Sequence, residues 1–301
     1  MPLPLPLIDC RPLEAYLLGH IEGAASIPAT EMPQRMHELP KTTQPLALCG
    51  DIDSLRMARE FLARKAYRVL EQTEWTPQLA ASLMAQDRLE SGVDSARLWQ
   101  PAPLIERFVR AIAPAHGILP GKGLDIGCGS GRDMVYLAAH GWDMTGIDYL
   151  DGALQRAQAL AASQQVNIQT ECRDLETGTD PFADYADATF GLVCVARYLH
   201  RPLFPWMQRI LQPGGVVIYQ TFMQGCENTA IGRPRNPNFL LRPGELAEQF
   251  AGAEILLDEV ENLDDGRPVS AFICRMRHSA VILRAASIIQ GARRHPDLCD
   301  A

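Results

Sequence analysis

The chain has 301 residues, of which 47% are hydrophobic and 21% charged, a composition typical of a globular protein of two domains. Its net charge of −8 at pH 7 provides no broad basic surface, which argues against a long nucleic-acid substrate. No apolar run reaches the length of a membrane-spanning helix, and the opening segment 1–7 has prolines and no basic residue, so we expect neither membrane insertion nor a signal peptide.

In residues 5–75, short apolar runs alternate with helical patterns, which predicts a parallel sheet covered by helices. The predicted strands and helices are, in chain order, 7–8, 12–18, 46–48, 54–65 and 67–70.

Two motifs in this region resemble the rhodanese (sulfurtransferase-like) family. They are D-x-R at residues 9–11 and G-H-I-x-G-A-x-x-I-P at residues 19–28. The resemblance implies a rhodanese-like parallel-sheet domain over residues 1–76. It also implies that Cys49, which follows an apolar strand, occupies the position of the catalytic cysteine.

The segment after Cys49 departs from the rhodanese pattern. Active members carry cations here, whereas this chain carries Asp51 and Asp53, and Arg56 is the nearest positive charge. Two carboxylates should raise the thiol pKa and repel an anionic sulfur donor. We therefore expect an inactive or atypical module, which binds a partner, regulates, or passes sulfur from a different donor.

Residues 77–100 are predicted to form a linker and residues 101–277 the second domain, followed by a C-terminal helix and tail at 278–301. Apolar residues at helical spacing over 104–112 predict an amphipathic helix that packs on the second domain. Beyond residue 121, α/β alternation resumes. We expect seven strands, near 123–126, 143–147, 167–172, 190–195, 215–222, 254–261 and 269–276. We expect helices near 132–140, 150–163, 202–211 and 243–250.

A glycine-rich loop, G-C-G-S-G at residues 127–131, joins the first of these strands to a helix. Glycine allows unusual backbone angles there and lets a ligand approach the backbone closely. Backbone N–H groups at a helix start can then bind that ligand. Asp148 closes the next strand, where an acid can accept hydrogen bonds from both ribose hydroxyls of a nucleoside.

The glycine spacing separates two classes of ligand. Dinucleotide sites read G-x-G-x-x-G, whereas this loop reads G-x-G-x-G and is preceded by Asp125. The segment 125–131 resembles the first motif of class I S-adenosylmethionine-dependent methyltransferases. Asp174 and the L-x-P-G-G turn at 211–215 also match that family.

This resemblance implies a Rossmann-like, seven-stranded methyltransferase domain that binds S-adenosyl-L-methionine. It assigns cofactor-binding roles to Asp125, Gly127, Cys128, Gly129, Gly131, Arg132, Asp148, Tyr149, Arg173, Asp174, Leu175 and Val195.

The methyl acceptor is less defined. Residues 196–202 contain neither the N/D-P-P-Y/F/W tetrad of amino-group nucleic-acid methyltransferases nor a Pro-Cys nucleophile. The polar loop at 221–246 resembles tellurite-resistance-type and related small-molecule methyltransferases. Tyr198, His200 and Arg233 are therefore candidate catalytic residues, and Arg235 and Arg242 could join Arg233 in holding a small anion. The alternatives are a solvated Arg-Pro connector and a His200 that caps or packs a helix.

The eight cysteines are scattered, with no C-x-x-C pair and no Cys/His cluster. We expect reduced thiols in a cytoplasmic protein, with no metal site. The main hypothesis is methyl transfer to a small acceptor, such as a thiol or a chalcogen oxyanion. The alternatives are an RNA (tRNA)-modifying methyltransferase and a non-catalytic, S-adenosylmethionine-binding regulatory protein. The sequence does not specify the oligomeric state.

Overall fold

A computed structural model of the protein describes residues 5–277. The helix and tail that we expected at 278–301 lie outside the described residues. Two sheet-based domains follow each other along the chain, as the sequence predicted, and a small two-stranded sheet belongs to the first of them.

The N-terminal domain is built on a four-stranded sheet of order β3-β1-β4-β5, in which every pair is parallel. A short antiparallel pair, β2-β6, lies beside it. The elements are β1 (Leu7–Asp9), α1 (Leu13–Leu18), β2 (His20–Ile21), β3 (Ala25–Ser26), a 3₁₀ turn (Met36–Glu38), β4 (Leu46–Gly50), α2 (Ile52–Arg64), β5 (Val69–Glu74), α3 (Pro77–Ala85) and β6 (Leu89–Glu90).

The motif residues of this domain hold its fold together. Arg11 is buried and forms an ion pair with Asp9 (Nη2 to Oδ2, 2.6 Å), and its Nη2 also donates to the carbonyl of Gly19. Its guanidinium lies 3.6 Å from the ring centroid of Trp75. A buried cation needs such partners to offset its lost hydration. The D-x-R motif therefore fastens β1 to the β2 region.

The stretch that we expected to be a linker packs largely on the N-terminal domain. Thr76 caps α3 by accepting a hydrogen bond from the Leu79 amide (3.1 Å), and Leu83 is buried with Cys49 in one cluster. Further along, the Ala96 amide donates to the Ala24 carbonyl. The sequence alone does not show which domain such a segment packs on.

The second domain has a seven-stranded sheet of order β12-β13-β11-β10-β7-β8-β9, with only β13 antiparallel to its neighbours. This confirms the predicted Rossmann-like sheet. The elements are α4 (Pro103–Arg107), a π-helical turn (Phe108–Ile112), α5 (Ala113–Ala115), β7 (Lys122–Ile126), α6 (Arg132–Ala138), β8 (Asp143–Asp148), α7 (Asp151–Ser163), β9 (Gln169–Cys172), β10 (Phe190–Ala196), α8 (Leu203–Ile210), β11 (Leu211–Gln220), 3₁₀ turns at Cys226–Asn228 and Pro237–Phe239, α9 (Glu245–Gln249), β12 (Glu254–Asn262) and β13 (Pro268–Arg275).

The order of the strands locates the binding crevice. From β7 the chain adds β8 and β9 on one side, and then crosses to place β10 and β11 on the other side. In open α/β sheets, ligands bind at the carboxyl ends of the strands where the order reverses. Here that point lies between β7 and β10.

One hydrophobic core lies on each side of this sheet. The amphipathic helix predicted over 104–112 is present and buries Leu104, Phe108 and Ile112 with strand residues of the second domain. No helix among residues 5–277 has both the length and the apolar composition needed to cross a membrane.

Candidate active site

The glycine loop between β7 and α6 has three glycines with positive φ. Gly127, Gly129 and Gly131 have φ values of +71°, +55° and +76°. A Cβ added at Gly131 would lie 2.6 Å from the Cβ of Ala157, so this glycine permits α6 to pack against α7. A Cβ at Gly129 would meet no atom within 4 Å. The chain therefore leaves open space above Gly129, where a ligand can approach the backbone.

Asp148, at the end of β8, is held against the glycine loop. Its Oδ2 accepts a hydrogen bond from the Gly129 amide and its Oδ1 accepts one from the Leu150 amide, both at 2.9 Å. The neighbouring Tyr149 is exposed. This bracing fixes the carboxylate at the crevice before any ligand arrives.

The predicted residues after β9 divide between the surface and the interior. Asp174 is exposed and accepts a hydrogen bond from the Glu176 amide (2.9 Å). Leu175 is buried in the core. Arg173 is engaged elsewhere, because it forms ion pairs with Glu171 (2.6 Å) and Asp184 (2.7 Å). Its side chain thus stabilises the segment that presents Asp174.

The carboxyl ends of β7 and β10 carry the other predicted cofactor residues. Asp125 is buried, and burial, together with the charge of Asp133, raises its pKa to about 8. Val195, on the adjacent strand β10, is buried in the core below. Cys128 is half-buried within the loop, and Arg132 is exposed at the start of α6.

A cavity of about 850 Å³ lies over these strand ends. Its lining includes the glycine loop, Asp125, Asp133 and Arg197. The opposite wall belongs to the N-terminal domain, which contributes most of residues 36–44. At its rim, the Lys41 Nζ lies 3.0 Å from the Asp264 Oδ2, so an exposed ion pair joins the two domains.

A second cavity, of about 680 Å³, opens beside the first. Its lining is Glu176, Arg197, Tyr198, Leu199, Thr221, Phe222, Arg233, Pro234, Arg235, Asn236 and Phe239. Two of the three candidate catalytic residues, Tyr198 and Arg233, therefore come together here. His200 lines neither this cavity nor the first. Arg242 also lies outside both, because it pairs with Glu248 (3.1 Å).

Tyr198 lines the second cavity and contacts the glycine loop, which lines the first. A Cβ placed on Gly127 would lie 3.2 Å from the Cβ of Tyr198, so the tyrosine packs directly over the glycine loop. Its hydroxyl donates to the Glu176 Oε1 (3.2 Å). Burial and the nearby Glu176 raise its pKa, so Tyr198 keeps its proton at neutral pH.

Sequence reasoning missed Arg197, which lines both cavities. It follows β10 directly with φ of +62°, and its guanidinium lies 5.2 Å from the ring centroid of Phe222. Its position just beyond a predicted strand, at the switch point of the sheet, was the available signal.

The cysteine at the rhodanese position does not form an open site. Cys49 is fully buried within β4, and burial, followed by the charge of Asp9, raises its pKa to about 12. We expected Asp51 and Asp53 to raise it, but Asp51 caps α2 and Asp53 pairs with Arg56. A single residue separates β4 from α2, which leaves no loop to surround a persulfide.

Comparison with known proteins agrees with this division of the chain. Residues 2–72 match the family model of a rhodanese-like domain, and residues 124–215 match that of a methyltransferase domain. An uncharacterised protein (UNK4.09) of Schizosaccharomyces pombe is 21% identical over 314 residues, covering 89% of this chain and 92% of its own length.

Two further matches cover a smaller part of the chain. The ubiquinone biosynthesis O-methyltransferase of Idiomarina loihiensis is 29% identical over 123 residues, which are 38% of this chain and 48% of that protein. The chain thus matches about half the length of that relative. The crystal structure of TehB from Haemophilus influenzae aligns with a TM-score of 0.46 at 20% identity, covering 55% of this chain and 61% of TehB.

Proposed function

Because this chain joins a rhodanese-like domain to an S-adenosylmethionine-dependent methyltransferase domain, we propose that it transfers a methyl group to a small organic acceptor that carries an anionic group. The observation that carries the proposal is the cationic second cavity beside the glycine loop. When bound, S-adenosylmethionine supplies a methyl group on a positively charged sulfur and leaves as S-adenosylhomocysteine.

The residues present fit this donor. The open space above Gly129 accommodates a ligand close to the backbone. The carboxylates of Asp148 and Asp174, at the ends of β8 and β9, suit the hydroxyl and amino groups of a nucleoside. Donor binding on β7, β8 and β9 leaves the second cavity for the acceptor.

The second cavity favours an anion. Arg197, Arg233 and Arg235 line it, and no carboxylate of residues 5–277 forms an ion pair with any of the three. The Arg235 Nε donates only to the Gly232 carbonyl (2.9 Å). Guanidinium groups bind carboxylate, phosphate and similar groups through charge-assisted hydrogen bonds.

The same cavity also favours an acceptor with an apolar body. Leu199, Phe222 and Phe239 also line it, and its volume is that of a typical small-molecule pocket. A bare chalcogen oxyanion would leave these rings without contacts. An organic thiol, phenol or acid fills the space better.

In this proposal, catalysis of methyl transfer depends mainly on how the acceptor is positioned. Because Tyr198 keeps its proton, it orients the acceptor instead of removing a proton. The three guanidinium groups lower the pKa of a bound hydroxyl or thiol, so the acceptor supplies its own nucleophile. The similarity to ubiquinone biosynthesis O-methyltransferases supports an oxygen acceptor.

In this proposal the N-terminal domain has no sulfurtransferase activity, because Cys49 is buried and protonated. We also place the protein in the cytoplasm. The seven cysteines among the described residues are free thiols, which suits a reducing compartment.

The test is release of S-adenosylhomocysteine with a panel of small thiols and phenols, each with and without a carboxylate. We expect turnover of the anionic members. Arg233→Ala should raise KM for the anionic acceptor about tenfold with little change in kcat, because it removes a binding contact. Arg59→Ala, an exposed arginine on α2, is the matched control. Equal turnover of the neutral acceptors, unaffected by Arg233→Ala, would contradict the proposal.

A further inference from the structure

The first cavity has walls from two domains. Residues 36–44 of the N-terminal domain face the glycine loop across it. This wall is anchored in its own domain, because Met32 and Leu39 are buried in the core and the Tyr67 hydroxyl donates to the Pro40 carbonyl (2.9 Å). The wall is therefore a preformed part of the cavity.

His37 lies within this wall with an unsatisfied ring nitrogen. Its Nε2 is buried and has no hydrogen-bond partner in the described chain. The nearest carboxylate oxygen, Glu38 Oε1, is 3.9 Å away and is occupied by the Arg35 Nε at 2.6 Å. A buried polar nitrogen without a partner is costly. His37 lines the cavity, so an acceptor group there would satisfy this nitrogen once the ring turns it toward the cavity.

The surroundings of His37 favour a negatively charged group. Burial lowers the pKa of His37, Glu38 opposes this effect, and the positive charges of Arg156 and Arg132 reinforce it. Arg132 lines the same cavity, and the Arg156 Nε donates to the hydroxyl of Ser130 in the glycine loop (3.1 Å). A neutral imidazole beside two guanidinium groups is a suitable set of donors for a carboxylate.

The strand order indicates which part of the methyl donor reaches this place. Asp148 and Asp174 follow β8 and β9 and do not line the first cavity, whereas Asp125 and Arg197, at the ends of β7 and β10, do. A donor whose nucleoside lies at β8 and β9 therefore extends its amino-acid end into the cavity between the domains. Its carboxylate is the anion available there.

We propose that His37, on the rhodanese-like domain, donates a hydrogen bond to the carboxylate of the bound methyl donor, so that the N-terminal domain completes the cofactor site. This inference rests on S-adenosylmethionine being the donor.

The experiment measures binding rather than turnover. S-adenosylhomocysteine and 5′-methylthioadenosine share the nucleoside and the sulfur, but the second compound lacks the amino-acid end. Each is titrated calorimetrically into the full chain and into His37→Ala, His37→Gln and His116→Ala. His116 is an exposed histidine that lines neither cavity and serves as the control.

We expect His37→Ala to weaken S-adenosylhomocysteine about tenfold and to leave 5′-methylthioadenosine unchanged. His37→Gln, which keeps a side-chain N–H donor, should recover part of the loss, and His116→Ala should behave as the parent protein. An unchanged affinity of His37→Ala for S-adenosylhomocysteine, or an equal loss for both compounds, overturns the inference. If the parent protein binds neither compound, the proposed function itself fails.

Hydrogen exchange provides a second measurement that needs no variant. Adding S-adenosylhomocysteine to the parent protein should slow amide exchange in residues 36–44, whereas α2, which does not line the cavity, should be unaffected. Bound ligand without protection of residues 36–44 also overturns the inference.

Discussion

Cys49 occupies the position of a nucleophile but has the environment of a core residue. It shares a buried cluster with Tyr16, Ile21 and Leu83. A motif locates such a cysteine along the chain, but it does not reveal whether helices cover it. The pairing of β2 with β6 and the packing of α3 close over this position, and neither was predicted from the sequence.

Alkylation tests the state of this thiol. In the native protein, iodoacetamide should modify the exposed Cys172 at least about a hundredfold faster than Cys49 between pH 7 and 9, since a thiol with a pKa near 12 carries almost no thiolate there. Peptide mapping by mass spectrometry measures both rates in one sample. Comparable rates, or a persulfide on Cys49 after thiosulfate treatment, would restore a sulfurtransferase role.

The second cavity likewise shows that the position of a residue in the sequence does not determine where its side chain points. From the sequence, we predicted that Tyr198, His200, Arg233 and Arg242 could lie near the acceptor. In the structure, Tyr198 and Arg233 face one cavity, while Arg242 turns to the carboxylates of α9. The sequence of an arginine-rich loop does not show which of its side chains form intramolecular ion pairs, because their partners can come from other elements.

At the scale of elements, the alternation of strands and helices was predicted almost completely. All seven strands of the large sheet lie within a few residues of their expected positions. The central parallel strands β7, β8 and β10 are the easiest to predict, because buried parallel strands produce continuous apolar runs. The smaller pieces β2, β3 and β6 were not predicted, since two-residue strands have no periodicity to detect.

The glycine loop offers a contrast between two substitutions. Gly131→Ala should destabilise the protein by about 1–3 kcal/mol, because it combines a left-handed backbone with a clash against Ala157. Gly129→Ala meets no protein atom, so it should cost only the backbone strain, about 1 kcal/mol. Its methyl group would instead fill the ligand space and reduce S-adenosylhomocysteine affinity.

Urea unfolding and calorimetric titration separate these two effects. Gly131→Ala should lower the midpoint of unfolding more than Gly129→Ala, and Gly129→Ala should show the larger loss of affinity relative to its loss of stability. The reverse order would mean that Gly129 has a structural role and that the space above it is not the ligand site.

At the scale of the whole molecule, two adjacent residues join the domains. Leu98 packs on the core of the N-terminal domain, while Trp99 is buried in a core of the second domain. Because Leu98 and Trp99 are adjacent, no flexible linker separates the two domains at this point. The cavity between the domains depends on this junction. No sequence pattern predicts that two consecutive residues belong to the cores of different domains.

Trp99→Ala should cost the second domain about 3–5 kcal/mol and loosen its attachment to the first. We expect differential scanning calorimetry to record one transition for the parent protein and two for the variant. Val93→Ala, an exposed position in the same stretch, is the control and should leave the trace unchanged. Two transitions in the parent protein would show that the domains unfold independently.

The junction at Trp99 also has a consequence for synthesis on the ribosome. The N-terminal domain needs residues only up to about Leu98 to complete its contacts. Trp99, in contrast, packs in a core that includes Ala271 and Ile273 of β13, a strand that lies inside the sheet between β11 and β12. In a nascent chain, the first domain can therefore fold while Trp99 beside it stays exposed until nearly all of the second domain has been translated. We expect chaperone binding to matter most during this interval.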